Sequence, residues 1–508
     1  MKQSEQYGSR LGMMLVMLGM AVGTGNIWRF PRIAAQNGGG EFLIAWILFL
    51  FLWSIPLILL EFAIGRKFRC GPVKAFIQMM GPGWAWMGAF TAFVTVAIMF
   101  YYSVVAGWTI RYSVAALLGE IPQGVLGSFW ENFTQSWWPV LTHGVAIGLA
   151  TWVVARGIGT IERVAKILMP TLVFLVIVLA VRALTLPGSS EGLAYLFDIE
   201  IDNLARPRLW LEALTQNAWD TGAGWGLVLC YTAYLRDRED TALNSFLLPT
   251  ANNMISLLAG IMVICTVFSV VPGLVESDPD ALRGYSRLSE ALEDKEVLTT
   301  SLVRDTIFQE RNEGLTFIWM PQLFRQIPLG RIFMVLFFVS LSFAAFTSLI
   351  AMVELATRVL VDGGLERLRA ITVVGTVGFV LGLPSAVSIQ VLRNQDWVWS
   401  LALMLGGLFF SIAAIRHGIP ALREQHLNHK DSDIRVGRWW DIVIGIVVPI
   451  EAGVLFVWWL LDAWSKNREG WLSLWSTYNV GTALIQFSVL LSILFLANRW
   501  MVQRTIHK

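Results

Sequence analysis

Long apolar stretches recur along the chain, separated by short polar loops. A bilayer core of about 30 Å needs roughly 20 apolar residues per helix. Runs of that kind lie at 11–35, 41–64, 86–118, 138–155, 162–184, 209–235, 242–271, 331–360, 370–391, 396–416, 439–464 and 474–499. The pattern predicts an all-α polytopic membrane protein with twelve transmembrane helices. Apart from 184–208, the only sizeable extramembrane piece is 272–330. Its SRLSEALEDKEVL and SLVRDTIFQE stretches predict short amphipathic helices, in either an external hairpin over a pathway entrance or a plain linker.

Composition narrows the class. Of 508 residues, 56% are hydrophobic and 15% charged, where soluble proteins carry about 25% charged. With 24 Trp, 30 Phe and a mean hydropathy of +0.61, a soluble enzyme, a disordered chain and a nucleic-acid binder are excluded. The surrounding partner is membrane lipid. A net charge of +2 points to no polyanionic partner. Cys70, Cys230 and Cys265 are scattered and imply no disulfide framework. His426 and His429 lie in a charged stretch and read as a solvated loop, not a metal site. The start, MKQSEQYGSRLGMM, has no signal-peptide cleavage pattern.

Loop charges orient the chain. Basic residues follow the second span (Arg66, Lys67, Arg69, Lys74), the fourth (Arg156, Arg163), the eighth (Arg358, Arg367, Arg369) and the tenth (Arg416, Arg423, Lys430, Arg435, Arg438). The opposite loops are acidic, with Glu120, Glu131, Glu191, Asp198, Glu200, Asp202, Glu276, Asp278 and Asp280. Both termini are therefore expected in the cytoplasm, in a multi-pass arrangement suited to a bacterial inner membrane.

Two spans are interrupted by glycine. The first contains GMAVGTGN from Gly19 to Asn26, the sixth DTGAGWG from Asp220 to Gly226. Each glycine costs about 1 kcal/mol relative to Ala in a helix. Freed backbone groups are tolerated at membrane depth only where they line a cavity. Small-residue helix packing is the plainer explanation of Gly19-x-x-x-Gly23. Interleaved polar residues, and the placement in spans one and six, favour a central site between two inverted repeats. The repeats would be 1–184 and 185–416, the latter including the 272–330 hairpin, with 417–508 supplying helices eleven and twelve and the cytoplasmic C-terminus.

These residues carry a resemblance. GMAVGTGNIWRFPRIAAQNGGGEF, IPLILLEFAIGR, AIMFYYSVVAGWT, IERVAKILMPTL and SFAAFTSLIAM resemble, in order and over nearly the whole chain, the neurotransmitter:sodium symporter family, in its bacterial amino-acid branch. The resemblance implies a five-plus-five inverted repeat with discontinuous helices 1 and 6, and sodium-driven symport of amino acids or related amines by alternating access. No nucleophile–base constellation stands in the spans, so no enzyme is expected.

The resemblance also implies site roles. Two sodium ions are expected. One would meet the carbonyls of Gly19, Val22 and Ala344 with the hydroxyls of Thr347 and Ser348. The other would meet the Ala21 carbonyl, Asn26, Asn252, residue 220 and the substrate carboxylate. The substrate would lie among Met20, Ala21, Gly23, Thr24, Gly25, Ile98, Tyr102, Trp219, Gly222, Trp225, Ser348, Ala351 and Met352. Glycine at 23, where amine-carrying members usually have Asp, favours an amino acid; the apolar walls favour a neutral, hydrophobic one.

Here the chain departs from the family. Asp220 stands where Thr or Ser is usual, position 256 is Ser as in chloride users, and the tyrosine that helps hold chloride is Trp46. Asp220, with Gln216 and Ser256, is expected to replace the chloride charge, making transport chloride-independent, and to take up a proton when the site is empty. Arg29 and Asp396 resemble the external gate, with Trp219 beneath it, and Tyr234 and Asp362 the inner one. The usual N-terminal Arg and Trp are Ser4 and Tyr7, with Lys2 or Arg10 as compensating cations. Glu61 resembles a brace for the broken first helix. Rival readings are a channel, a non-transporting sensor on the same fold, and a carrier of another amine or an osmolyte.

Overall fold

The computed structural model describes residues 6–122, 126–293, 298–430, 432–466, 468–474 and 477–506. Among these it is all-helical, without strands. The membrane-type helices are α1 (Arg10–Ala21), α2 (Gly25–Gln36), α3 (Gly40–Phe68), α4 (Pro82–Leu118), α5 (Trp138–Ala155) and α6 (Ile158–Leu184). They continue as α7 (Pro207–Asp220) and α8 (Leu227–Thr232), then α9 (Thr241–Ser277), α10 (Gly330–Asp362), α11 (Arg367–Val387), α12 (Ile389–His417), α13 (Trp439–Ser465) and α14 (Val480–Ile506). Among the described residues, ten helices are long and apolar enough to cross a membrane, and α1 with α2 form an eleventh, bent by 51°.

Helix ends follow local chemistry. The Ser9 hydroxyl accepts from Gly12 N at 3.0 Å and starts α1; Asp240 accepts from Leu243 N at 2.9 Å and starts α9. Ser388 separates α11 from α12 by accepting from Val391 N, which ends α11 before the apolar pattern does. The last span begins at Val480 and not at 474, because a turn tied by Asn479 Nδ2 to the Gly470 carbonyl precedes it. α3 contains a π turn at Leu50–Ser54.

The break between α7 and α8 is written in three glycines, 222, 224 and 226, at φ +70°, +84° and +78°. L side chains avoid that region, so the helix stops. Gly224 also lies against α12: an ideal Cβ there would be 2.9 Å from the Gly407 Cα, and one on Gly406 would be 2.6 Å from the Gly224 carbonyl oxygen.

Among its described residues, the 272–330 segment is mostly helical. It folds into helices Pro279–Arg283, Ser286–Glu293, Thr300–Gln309 and Met320–Arg325. Arg32 Nε donates to Asn312 Oδ1 at 2.8 Å, Gln36 Nε2 to the Phe308 carbonyl at 2.6 Å, and Arg393 pairs with Glu313 at 2.7 Å. These bonds seat it on α2 and α12.

His426 and His429 are partly buried, contrary to a solvated loop. Burial, with Lys67 and Arg66 adding repulsion, pushes the His426 imidazole down to about 4, so it stays neutral. Among the described residues no group of three or more His, Cys, Asp or Glu side chains is arranged to hold a metal ion.

Candidate functional site

Both helix breaks open onto one cavity of about 410 Å³. At the first, Gly23 N donates to Asn26 Oδ1 at 2.8 Å and Thr24 N to the Tyr102 hydroxyl at 3.1 Å. The Tyr102 oxygen therefore accepts from the break and keeps its own hydrogen for another acceptor. Gly23 has no room for a side chain: its Cβ would stand 2.9 Å from the Tyr102 hydroxyl and 3.1 Å from Ser348 Oγ.

At the second break, the Glu61 carboxylate takes Gly224 N at 2.8 Å and Leu229 N at 2.9 Å, fully buried. The sequence pointed to a brace for the first break; Glu61 instead braces the sixth-span break. The reason is elementary: the N-terminal amides of α8 are unpaired donors beside it, and a carboxylate suits a helix N-terminus.

Of the substrate positions named from sequence, Met20, Ala21, Gly23, Thr24, Gly25, Tyr102, Trp219, Gly222, Trp225, Ser348 and Met352 line this cavity. Ile98 and Ala351 do not line it; both are buried behind it. The Trp219 and Trp225 rings meet edge to face, centroids 5.6 Å apart. Trp225 Nε1 donates to the Ala218 carbonyl at 2.9 Å, fixing that ring across the break.

Oxygens gather at two further places. Ser348 Oγ lies 3.2, 3.2 and 3.3 Å from the carbonyl oxygens of Gly19, Met20 and Val22. Thr347 Oγ1 reaches the Ala344 carbonyl at 3.1 Å. This is a set of hard oxygen donors on an unwound helix, the chemistry a dehydrated alkali cation requires. The Met20 carbonyl was not anticipated from sequence.

The second group is amide and carboxylate. Asn26 Nδ2 donates to Asn252 Oδ1 at 2.9 Å and to Ser256 Oγ at 2.8 Å, and Ser256 donates to Asp220 Oδ2 at 2.9 Å. Asp220 Oδ1 is buried without a hydrogen-bond partner among the described residues, as is Gln216 Nε2. An ideal Cβ on Gly25 would lie 2.9 Å from that Asp220 oxygen. Gln216 is the amide within reach of Asp220, and with no well-formed bond between them the carboxylate has room for a cation or a proton.

One end of the cavity is charged. Arg29 and Asp396 both line it, yet no ion pair joins them. Arg29 donates to Gln216 Oε1 and stands 3.8 Å from Glu212, because those two side chains, one turn apart on α7, face it. Away from this cavity, Tyr7 N donates to the Tyr234 carbonyl at 3.3 Å, and the rings meet edge to face.

A model of the sodium:neurotransmitter symporter family matches residues 4–137 and 130–507. The chain belongs to that family. It is a sodium-dependent membrane transporter and not an enzyme. An uncharacterized sodium-dependent transporter of Methanocaldococcus jannaschii is 29% identical over 505 residues, with 95% of each chain covered. Another, from Bacillus subtilis, is 30% identical over 422 residues, covering 80% of this chain and 82% of the relative. The crystal structure of MhsT in complex with L-phenylalanine is similar with a TM-score of 0.73 at 28% identity, covering 89% of this chain and 99% of that one.

Within the symporter fold, the inner end differs from the sequence-based expectation. Ser4 and Lys2 lie outside the described residues, and Arg10 turns to Asn244 Oδ1 at 3.3 Å. The cation beside Asp362 is Arg358, 3.2 Å away one turn earlier on α10. Its guanidinium also sits 5.6 Å from the Tyr234 ring centroid and donates to the Arg69 carbonyl at 2.8 Å. Tyr234 donates to Glu354, which pairs with Arg367 at 2.7 Å. The signal was available: Glu354 and Arg358 are charges one turn apart in an apolar run.

Glu162 was also missed. Its carboxylate accepts from Gly8 N at 2.7 Å and Ser9 Oγ at 3.0 Å, clasping the start of α1 to α6. Gly12 leaves room for it, since a Cβ there would fall 1.9 Å from Glu162 Oε1. Glu162→Gln removes the charge and leaves one acceptor where Gly8 N and the Ser9 hydroxyl had two. Backbone hydrogen exchange at residues 8–12 should accelerate by about tenfold or more, the equivalent of one charge-assisted hydrogen bond. Unchanged exchange would show that the clasp adds nothing.

Proposed function

We propose that the chain is a sodium-driven symporter of a neutral, hydrophobic amino acid, working by alternating access and independent of chloride. The observation that carries this reading is the first break. Tyr102 and the Gly23–Gly25 backbone face the cavity beside a glycine with no space for the side-chain carboxylate an amine carrier would use. The substrate must bring its own carboxylate. Trp219, Trp225, Met20 and Met352 supply apolar walls, in keeping with a family structure obtained with L-phenylalanine.

Two sodium ions would be carried, one at Gly19, Val22, Ala344, Thr347 and Ser348, the other at Ala21, Asn26, Asn252 and Asp220 with the substrate carboxylate. Asp220 would supply a fixed negative charge in place of chloride. Arg29 and Asp396 would close the outer end over Trp219, and Tyr234 with Asp362 the cytoplasmic one. Repeats 1–184 and 185–416 would move against each other, with 417–508 alongside. Ions and substrate drive this only by binding the two states unequally.

Sodium-gradient uptake in proteoliposomes, with all twenty amino acids as competitors, tests the reading. Aromatic and branched aliphatic amino acids should compete best; preference for Lys, Glu or a catecholamine would overturn it. Gly23→Ala should raise the half-maximal substrate concentration by about tenfold or more, as expected for one displaced hydrogen bond to a charged group. The measurement is the concentration dependence of uptake at saturating sodium.

A further inference from the structure

Behind the amide cluster runs a row of buried asparagines held in one sense from both ends, by Gly23 N through Asn26 at one and by two main-chain carbonyls at the other. Asn217 is fully buried. Its Nδ2 donates to two backbone carbonyls, Trp46 O at 2.8 Å and Ala213 O at 3.1 Å. A carbonyl oxygen only accepts, so this side of the amide must be its NH2 group. The other side, Oδ1, accepts from the Ser54 hydroxyl at 3.2 Å and from Asn253 Nδ2 at 3.4 Å. Ser54 ends the π turn of α3, an extra residue per turn that brings its hydroxyl here. All four hydrogen-bonding positions of Asn217 are filled, and a flipped amide would set oxygen against two carbonyls and NH2 against the Asn253 NH2 group, keeping at most the Ser54 contact.

The constraint passes along the row. Asn253 points its NH2 at Asn217, so its oxygen faces Asn252 and accepts from Asn252 Nδ2 at 3.2 Å. Asn252 is left with Oδ1 toward Asn26. Each amide fixes the sense of the next, and two main-chain carbonyls fix the first. We infer that Asn217 and Asn253 are positioning residues that hold the Asn252 oxygen, and not its NH2 group, toward the transported sodium ion.

The inference rests on the proposed role of Asn252 as a sodium ligand. A reversed Asn252 would aim a partial positive charge at the cation. Outer-shell partners of this kind are worth 10- to 100-fold in metal affinity.

The test is sodium-dependent uptake by the full chain in proteoliposomes, at saturating substrate. Asn253→Leu removes the acceptor that holds Asn252, and the sodium concentration for half-maximal uptake should rise at least about tenfold. The substrate KM at saturating sodium should stay within about twofold, where general loosening of the site would move both. Asn217→Leu should shift sodium in the same direction, and it decides the matter if Asn253→Leu does not fold. Unchanged sodium dependence in a folded leucine variant overturns the inference. Asn252→Leu separates the two levels: if it too leaves sodium dependence unchanged, the ligand assignment itself has failed.

Discussion

Asp220→Ser should convert the transporter from chloride-indifferent to chloride-dependent. With gluconate replacing chloride, uptake by the parent chain should be unchanged, while uptake by the variant should fall by at least about tenfold. The argument is electrostatic. Asp220 is 2% exposed, one oxygen takes the Ser256 hydroxyl at 2.9 Å, and the other has no hydrogen-bond partner among the described residues. Stripping one member from a buried charge pair costs about 3–5 kcal/mol, more than two decades in binding. The variant can recover this from a mobile anion only when chloride is present. Serine at 220 also gives the hydroxyl usual at this position in the family. Strict chloride dependence of the parent would sink the idea at once. A variant equally inactive with and without chloride would show that Asp220 does something an anion cannot replace.

Glu61→Gln should be the most damaging single substitution outside the ion and substrate positions. Each carboxylate oxygen takes a main-chain N–H across the sixth-span break, at 2.8 and 2.9 Å. Glutamine retains one acceptor and turns an NH2 group toward the other amide. The loss comprises a charge-assisted bond of about 1.5–3 kcal/mol, and a buried amide is left without a partner. Thermal unfolding in detergent should shift down by several degrees, and uptake should fall to near background. Glu61→Asp keeps the charge but falls short by one methylene, and should be intermediate. A Glu61→Gln protein with parental uptake would remove the brace from any account of transport.

Much of this architecture was legible in the chain because a bilayer imposes a length and a polarity on every span. The glycines at 222, 224 and 226 announced the second break through the cost of glycine in a helix, and all three adopt positive φ. The substrate positions were legible only through their order along the chain, and Ile98 and Ala351 show the limit: sequence places them in the right helices but not on the cavity face. The partner of Glu61 was misread because apolar pattern says where a charge lies in depth, not which unpaired backbone it faces. Arg358, Glu354 and Glu162 escaped notice for a related reason. Glu162 meets the chain's start more than 150 residues away, and although Glu354 and Arg358 stood one turn apart in an apolar run, only the fold shows that Tyr234 lies against both. The Asn217–Asn253 row is further from view still, since its meaning lies in the direction of bonds.

The contact between Gly224 and Gly406–Gly407 has a mechanical consequence. Backbone meets backbone there without any side chain between them, so no rotamer can change and nothing can be squeezed. Approach of the break toward α12 is closed off, while slipping or turning about the touching point stays open. Such a bare backbone contact would serve a moving break as a pivot and not as a cushion.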